Sequence, residues 1–94
     1  MTATQYRELV RSAGCCIGNR QLAQCSGPIE IHHVSTGSSI RSEWAVTALC
    51  REHHKGASGL HGMGPKAFVT LYRVPFQSEY GLLAWTNEDV SKLK

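Results

Sequence analysis

The sequence contains few aromatic residues, only 7% of its 94 residues. It also lacks any apolar run near the roughly 20 residues that a membrane-spanning helix requires, which argues against an integral membrane protein. The first eight residues (MTATQYRE) are polar, so no signal peptide is predicted and we expect a cytoplasmic protein. Nine glycines increase the backbone entropy lost on folding, so the core needs additional stabilisation.

The length predicts a single domain over residues 1–94. Domains of this size bury a modest core and often need a metal ion or disulfides to remain folded. The net charge is +3 with neutral histidines, a mildly basic balance. Such a charge permits nucleic-acid binding but does not demonstrate it.

Side chains that bind soft and borderline metal ions are abundant in this sequence. It has four cysteines and five histidines, and every histidine lies between residues 32 and 61. Four cysteines in a chain without a secretory signal favour metal ligation over disulfides. We therefore expect a structural zinc ion, which contributes about 10–16 kcal/mol of apparent binding free energy in small zinc domains.

Cys50 and His53 have a two-residue spacing that allows both side chains to bind one ion. A tetrahedral zinc site then requires a second pair of ligands. Cys25 is one candidate, and either Cys15 or Cys16 is the other. Three thiolates and one imidazole are a common structural zinc arrangement, so we interpret these residues as a zinc knuckle.

The remaining histidines predict a second metal site. His32 and His33 follow each other in a predicted strand, where neighbours point to opposite faces, so they are not expected to bind the same ion. His54 and His61 lie seven residues apart, across a glycine-rich break that would allow a turn. Three neutral imidazoles with open positions form a hydrolytic site, and a fourth nearby suits a general base. We expect Zn²⁺, Ni²⁺, Mn²⁺ or Mg²⁺ there, with nitrogen ligands favouring zinc and nickel over magnesium.

Hydrophobic periodicity and capping signals predict an α+β arrangement in which a β-hairpin is followed by a helix. The predicted N-terminal elements are a helix over 2–13 and a loop over 15–28. Strands over 29–34 and 44–49 follow, joined by a loop over 35–42, and a helix over 50–55 comes next. The C-terminal part is a glycine-rich loop that carries His61, a helix over 66–73, a short helix over 78–85 and a last turn capped by Thr86.

Two sequence motifs resemble those of the HNH, or ββα-metal (His-Me finger), nuclease superfamily. Residues 31–34 (IHHV) look like its first-strand motif, and residues 48–54 (ALCREHH) look like its "LCxxHH" entry into the metal-binding helix. The likeness is closest to phage-encoded recombination-enhancement nucleases that depend on RecA. Those proteins carry "GxHG" after the histidine pair, here residues 59–62 (GLHG), and a tail similar to residues 65–71 and 79–83.

The resemblance implies a fold and a zinc site. The fold is a small zinc-stabilised ββα-metal domain with flanking helices, its core over residues 15–62 and its C-terminal helices over 65–93. Cys16, rather than Cys15, matches the first knuckle cysteine of the family. The family often has a second cysteine at the position of Asn19, so Cys25 is expected to replace it. The implied structural zinc ligands are Cys16, Cys25, Cys50 and His53.

The resemblance also implies an activity. The implied ligands of the catalytic ion are His32, His54 and His61, and His33 is the implied general base. The expected function is metal-dependent hydrolysis of phosphodiester bonds in DNA, during recombination or processing of phage or prophage DNA in the host cell cytoplasm. The expected partners are DNA and a RecA-type recombinase filament.

Four basic residues near these motifs are candidates for phosphate contacts, namely Arg41, Arg51, Lys55 and Lys66. An alternative interpretation from a different functional class is a non-catalytic zinc module that binds DNA or a recombination protein. That module would need only the knuckle residues, so it predicts one metal ion per chain, whereas the nuclease interpretation predicts up to two.

Overall fold

The computed structural model describes residues 1–34 and 42–93. The predicted loop over residues 35–42 and the predicted phosphate contact Arg41 therefore lie, apart from Ser42, outside the described residues. Within the described part, the elements in chain order are α1 (Ala3–Ala13), α2 (Cys16–Asn19), β1 (Ile29–His33), β2 (Val46–Cys50), α3 (Arg51–Lys55), α4 (Leu60–Met63), α5 (Pro65–Leu71), a 3-10 helix (Pro75–Gln77) and α6 (Tyr80–Ser91).

The first helix begins at a capping box, as the sequence predicts. The Thr2 N–H donates to Gln5 Oε1 at 2.8 Å, and the Gln5 N–H donates to Thr2 Oγ1 at 3.1 Å. These two bonds satisfy N–H groups that have no partner inside the helix. Gly14 ends α1 with φ of 86°, in a region that favours glycine.

The strands β1 and β2 pair antiparallel, which confirms the predicted hairpin. His32 lies opposite Thr47, and His33 lies opposite Val46. Cross-strand partners share a face and neighbours alternate, so His32 and His33 lie on opposite faces of the sheet. Because the described sheet has two strands, the outer edge of β1 is unpaired.

Both faces of β2 are buried. On the face that includes His33, Val10 of α1 packs with Val46 and Ala48. On the other face, Leu49 packs with the second hydrophobic cluster, whose large buried residues include Ile17, Leu60, Phe68 and Leu82. Small as it is, the domain therefore has helices on both sides of its hairpin.

The structure corrects the sequence-based prediction at the C-terminus. Residues 80–91 form one continuous helix, and Thr86 lies inside it rather than at a cap. Thr86 is buried, and its Oγ1 lies 2.7 Å from both Leu82 O and Thr47 Oγ1. A buried hydroxyl that bonds to the preceding turn is compatible with a helix interior, and this contact with β2 favours continuation of the helix.

Two further short helices lie in segments predicted as loops, namely α2 in the predicted loop over 15–28 and α4 in the glycine-rich break. The helix α4 packs closely on α3, since a Cβ at Gly59 would collide with the backbone oxygen of Glu52. Arg20, just after α2, joins that region to α6: it contacts Asp89 at 3.0 Å and stacks over the Trp85 ring at 4.6 Å. None of the helices in the described part is long and apolar enough to cross a membrane.

Candidate metal centres

Three parts of the chain meet at a cluster of sulfur atoms. Cys15 precedes α2, Cys25 lies in the loop before β1, and Cys50 ends β2. Together with His53 of α3, each contributes one ligand atom, and these four atoms lie within 4.8 Å of one another. We refer to these four residues as the thiol cluster.

The three sulfur atoms surround Nδ1 of His53. The distances are 3.1 Å from Cys50 Sγ, 3.6 Å from Cys15 Sγ and 3.9 Å from Cys25 Sγ. Zinc lies about 2.3 Å from sulfur and about 2.0–2.1 Å from nitrogen, so a tetrahedral site places the two ligand atoms about 3.5 Å apart. The thiol cluster is therefore compatible with a metal ion such as zinc.

The structure corrects the predicted choice of Cys16 over Cys15. Cys16 begins α2, its side chain is buried in the core, and its Sγ lies 3.7 Å from Thr47 Oγ1 rather than in the thiol cluster. Burial raises the pKa of the Cys16 thiol to about 12, so it remains protonated at neutral pH. Two adjacent cysteines at the start of a helix point in different directions, and Cys15 is the one that faces His53.

The pKa values of these thiols are shifted because the side chains are desolvated and lie close together. Desolvation and the neighbouring Cys15 raise the pKa of Cys25 to about 12. Burial also raises the pKa of Cys15. Cys50 is desolvated too, but the backbone N–H groups of His53 and Ser26 bond to its sulfur, and its pKa is lowered. Three thiolates in so small a volume repel one another unless a cation is bound, and metal binding then displaces their protons.

Three histidines form a second cluster, which we call the imidazole cluster. His32 of β1, His54 of α3 and His61 of α4 each offer a ring nitrogen, and these atoms lie within 4.8 Å of one another. The ring centre of His32 lies 5.2 Å from each of the other two, which are 4.8 Å apart. A metal–nitrogen bond of about 2.0–2.1 Å gives ring centres about 5.2 Å apart in a tetrahedral site, so the arrangement fits one shared ion.

The imidazole cluster is partly open to solvent. His32 and His54 are buried, whereas His61 is exposed. Burial, followed by the charges of His54 and His61, lowers the pKa of His32 to about 4. His32 is therefore a neutral imidazole at neutral pH, which is the form that binds metal ions.

Two carboxylates contact the imidazole cluster. Glu30 Oε1 lies 2.8 Å from His54 Nδ1, and this hydrogen bond lowers the pKa of Glu30. Because Nδ1 faces the carboxylate, Nε2 of His54 is the nitrogen available to a metal ion. Glu79, just before α6, places Oε1 3.3 Å from His32 Nε2, and burial raises the pKa of Glu79.

The sequence-based prediction did not include either carboxylate. Glu30 precedes His32 by two residues and shares its face of β1, so strand alternation was a signal that could have identified it. Glu79 is 47 residues from His32 along the chain. Only tertiary packing brings Glu79 and His32 together.

His33 lies outside the imidazole cluster, on the face of the sheet that packs against α1. Its Nε2 is 3.6 Å from Glu43 Oε2, and the same oxygen accepts a hydrogen bond from Arg7 Nη1 at 2.9 Å. Nε2 of His33 is buried and has no hydrogen-bond partner within the part of the chain that the structure describes.

Three of the predicted phosphate-contacting residues are described, and all three are exposed. The positive charges of Lys55 and Arg51 contribute to the lowered pKa of Glu30, after the larger effect of the His54 hydrogen bond. Both cations therefore lie near Glu30. Lys66 lines a cleft that also includes Glu79. Each of these cations therefore lies in the neighbourhood of one of the two carboxylates that contact the imidazole cluster.

No protein-family model matches this chain, and neither a curated protein nor a solved structure shows significant similarity to it. The functional interpretation therefore depends on the two clusters and on the motifs in the sequence.

The thiol cluster predicts different outcomes for two adjacent cysteines. Cys15→Ala should abolish stoichiometric zinc binding and lower the melting temperature, because it removes one of four ligands. Cys16→Ala should retain the zinc and lose about 1 kcal/mol of unfolding free energy, the scale of a small buried truncation. Elemental analysis and thermal melts of both variants provide the measurement. If Cys16→Ala lost its zinc and Cys15→Ala retained it, Cys16 would be the zinc ligand, as predicted from the sequence.

The contact between Glu30 and His54 predicts a role in metal affinity. Glu30→Ala should weaken binding at the imidazole cluster by about 10–100-fold, because a carboxylate that holds a ligating histidine fixes its orientation and tautomer. The measurement is a Co²⁺ titration, followed by visible absorbance, of protein loaded with one equivalent of zinc so that only the thiol cluster is filled. Glu8→Ala, at an exposed position on α1, is the matched control. Equal affinities for the two variants would show that Glu30 has no such role.

Proposed function

We propose that this protein is a metal-dependent endonuclease that hydrolyses phosphodiester bonds in DNA, with the architecture of a ββα-metal (HNH) domain. The observation that carries the proposal is the convergence of His32, His54 and His61, which come from a hairpin and from the two helices after it. A purely structural zinc domain has no need for this second cluster. The imidazole cluster also reaches the surface at His61, where a substrate can approach.

A divalent cation held by these three imidazoles would supply Lewis-acid stabilisation of the charge that develops on a phosphodiester during hydrolysis. The residues of the chain supply the rest of the chemistry. His33 removes a proton from the attacking water, since an imidazole can act as a base near neutral pH. His32 and His33 are neighbours on β1, whose outer edge is unpaired in the described sheet. His33 lies on the face opposite the imidazole cluster and its Nε2 is buried, so this role requires the attacking water to reach that nitrogen around the edge of β1.

The exposed cations around the imidazole cluster position the DNA in this proposal. Arg51 and Lys55 flank the cluster near Glu30, and Lys66 flanks it near Glu79. Arg41, outside the described residues, is proposed for the same role. Contacts of this type fix the position of the backbone and carry no base information, so cleavage is expected to be independent of sequence. The proposed setting is recombination or processing of phage or prophage DNA in the host cell cytoplasm, with a RecA-type filament as a partner.

The alternative function is a non-catalytic zinc module that binds DNA or a recombination protein. The thiol cluster alone would support it, with Cys15, Cys25, Cys50 and His53 as ligands. The two functions differ in the number of ions bound, since the nuclease requires two per chain under loading conditions and the module requires one. Elemental analysis of protein loaded with zinc and then dialysed distinguishes them, and His61→Ala should reduce two ions to one.

The nuclease proposal predicts that His33→Ala loses DNA cleavage while it retains its metal ions. The expected decrease is about 10²–10⁴-fold, the usual contribution of a general base. The measurement is the rate of plasmid nicking with added Zn²⁺, Ni²⁺, Mn²⁺ or Mg²⁺, with bound metal determined on the same samples.

His61→Ala provides the control, because it should lose both cleavage and the second ion. If His33→Ala nicks the plasmid as fast as the wild type, the general base is another group. If the wild type cuts no DNA with any of these ions, the nuclease proposal is wrong.

A further inference from the structure

The turn between α5 and α6 has an unusual backbone. Within five residues, Arg73, Phe76 and Gln77 have φ of 54°, 64° and 50°. These values lie in the left-handed region, which is unfavourable for residues other than glycine and especially rare for bulky side chains. Strain of this kind persists only where the surrounding structure imposes it, and it concentrates at functional sites.

The neighbours of this turn hold it in place. Val74 is buried, Pro75 has a fixed φ, and the Gln77 N–H donates to Val74 O at 3.1 Å. Gly81 of α6 packs directly on the turn, because a Cβ at Gly81 would collide with Pro75 O. The turn is therefore a fixed part of the fold.

This fixed turn presents a large apolar side chain to solvent. Phe76 is 81% exposed, so burial of its ring does not compensate for the backbone strain. Two more exposed hydrophobic side chains, Leu71 at the end of α5 and Tyr80 at the start of α6, flank the same segment. Rigid presentation of an exposed aromatic ring is typical of a binding surface.

The turn lies close to the imidazole cluster. Glu79, three residues after Phe76, contacts His32 at 3.3 Å. Three residues of chain span at most roughly 10–11 Å, so the Cα of Phe76 lies within that distance of the Cα of Glu79. Between residues 77–80 and α5 is a cleft of about 490 Å³, lined by Gln77, Glu79 and Tyr80 on one side and by Lys66 and Thr70 on the other.

Charge identifies the partner that fits this surface. Lys66 and Arg73 are exposed beside the cleft and the turn, and within the described part of the chain neither is paired with a carboxylate. Exposed cations together with aromatic rings form the combination that binds single-stranded nucleic acid, in which phosphates contact the cations and bases stack on the rings. The bases of a duplex are stacked on one another and have no free face.

We propose that Phe76 is a stacking platform for an unpaired base of single-stranded DNA, a few nucleotides at most from the phosphate at the imidazole cluster. The cleft beside Tyr80 then takes the adjoining nucleotide, with Lys66 near its phosphate. This inference rests on the proposed nuclease function and deepens it, because it makes single-stranded or frayed DNA the preferred substrate class.

The test compares binding of a fluorescently labelled oligothymidylate of about 12 nucleotides with binding of a blunt duplex of the same length, by fluorescence anisotropy on zinc-loaded protein. Phe76→Ala should weaken binding of the single strand about fivefold or more and leave duplex binding unchanged. Phe76→Tyr should bind like the wild type, because it retains a ring. Leu71→Ala is the matched control, since it removes another exposed apolar side chain that precedes this turn and cannot stack on a base.

Thermal melts check that Phe76→Ala is as stable as the wild type, which its exposure predicts. Equal affinity of Phe76→Ala and wild type for the single strand overturns the proposal, and the turn is then a surface for a protein partner. An equal loss for Phe76→Ala and Leu71→Ala overturns it as well. Plasmid nicking by the wild type is measured separately. A protein that does not cut DNA but binds the single strand through Phe76 would refute the nuclease function alone. A protein that cuts DNA but binds the single strand equally well after Phe76→Ala would refute the stacking surface alone.

Discussion

The convergence of three sulfur atoms on one ring nitrogen is the constraint on which the rest of this domain depends. Cys15, Cys25 and Cys50 come from distant parts of the chain, and His53 Nδ1 lies 3.1–3.9 Å from all three. Without a cation these side chains gain little from lying together, because ionisation of more than one thiol would place mutually repelling thiolates side by side. With a cation, the same atoms crosslink the region before α2, the loop before β1 and the end of β2. A domain with few aromatic residues and nine glycines has little other means of fixing these segments.

The two clusters would differ in net charge if each held a divalent ion. Three thiolates around a divalent zinc ion carry a net charge of about −1, which does not attract phosphate. Three neutral imidazoles leave the full charge of a divalent ion, which does attract phosphate. Glu30 and Glu79 contact the imidazole cluster through the ring nitrogens of His54 and His32, at 2.8 Å and 3.3 Å. They hold the rings in place, so metal binding at this cluster would depend on the residues around it as well as on the three imidazoles.

Local signals in the sequence were sufficient to predict the hairpin and the capping box of α1, whereas the grouping of His32, His54 and His61 was implied by the resemblance of the motifs. They could not decide between Cys15 and Cys16, since both precede or begin the same short helix and only the packing of Cys16 against Thr47 separates them. The same limit applies to α6. In the sequence Thr86 resembles a helix cap, and its contact with Thr47 of β2 depends on the tertiary structure. Glu79 was missed for a related reason, because its partner His32 is far away along the chain. The prediction was wrong or incomplete where a single contact between distant elements decides the outcome.

Adjacent positions on one short helix, His53 and His54, belong to different clusters. If both clusters hold metal ions, two consecutive residues of α3 are ligands of different ions. Removal of the structural ion would release the first turn of α3, and His54 would lose its place beside His32. In the proposed nuclease, zinc starvation of the cell would therefore abolish cleavage even where the ion of the imidazole cluster remained plentiful, and activity would follow zinc supply more closely than the supply of that ion.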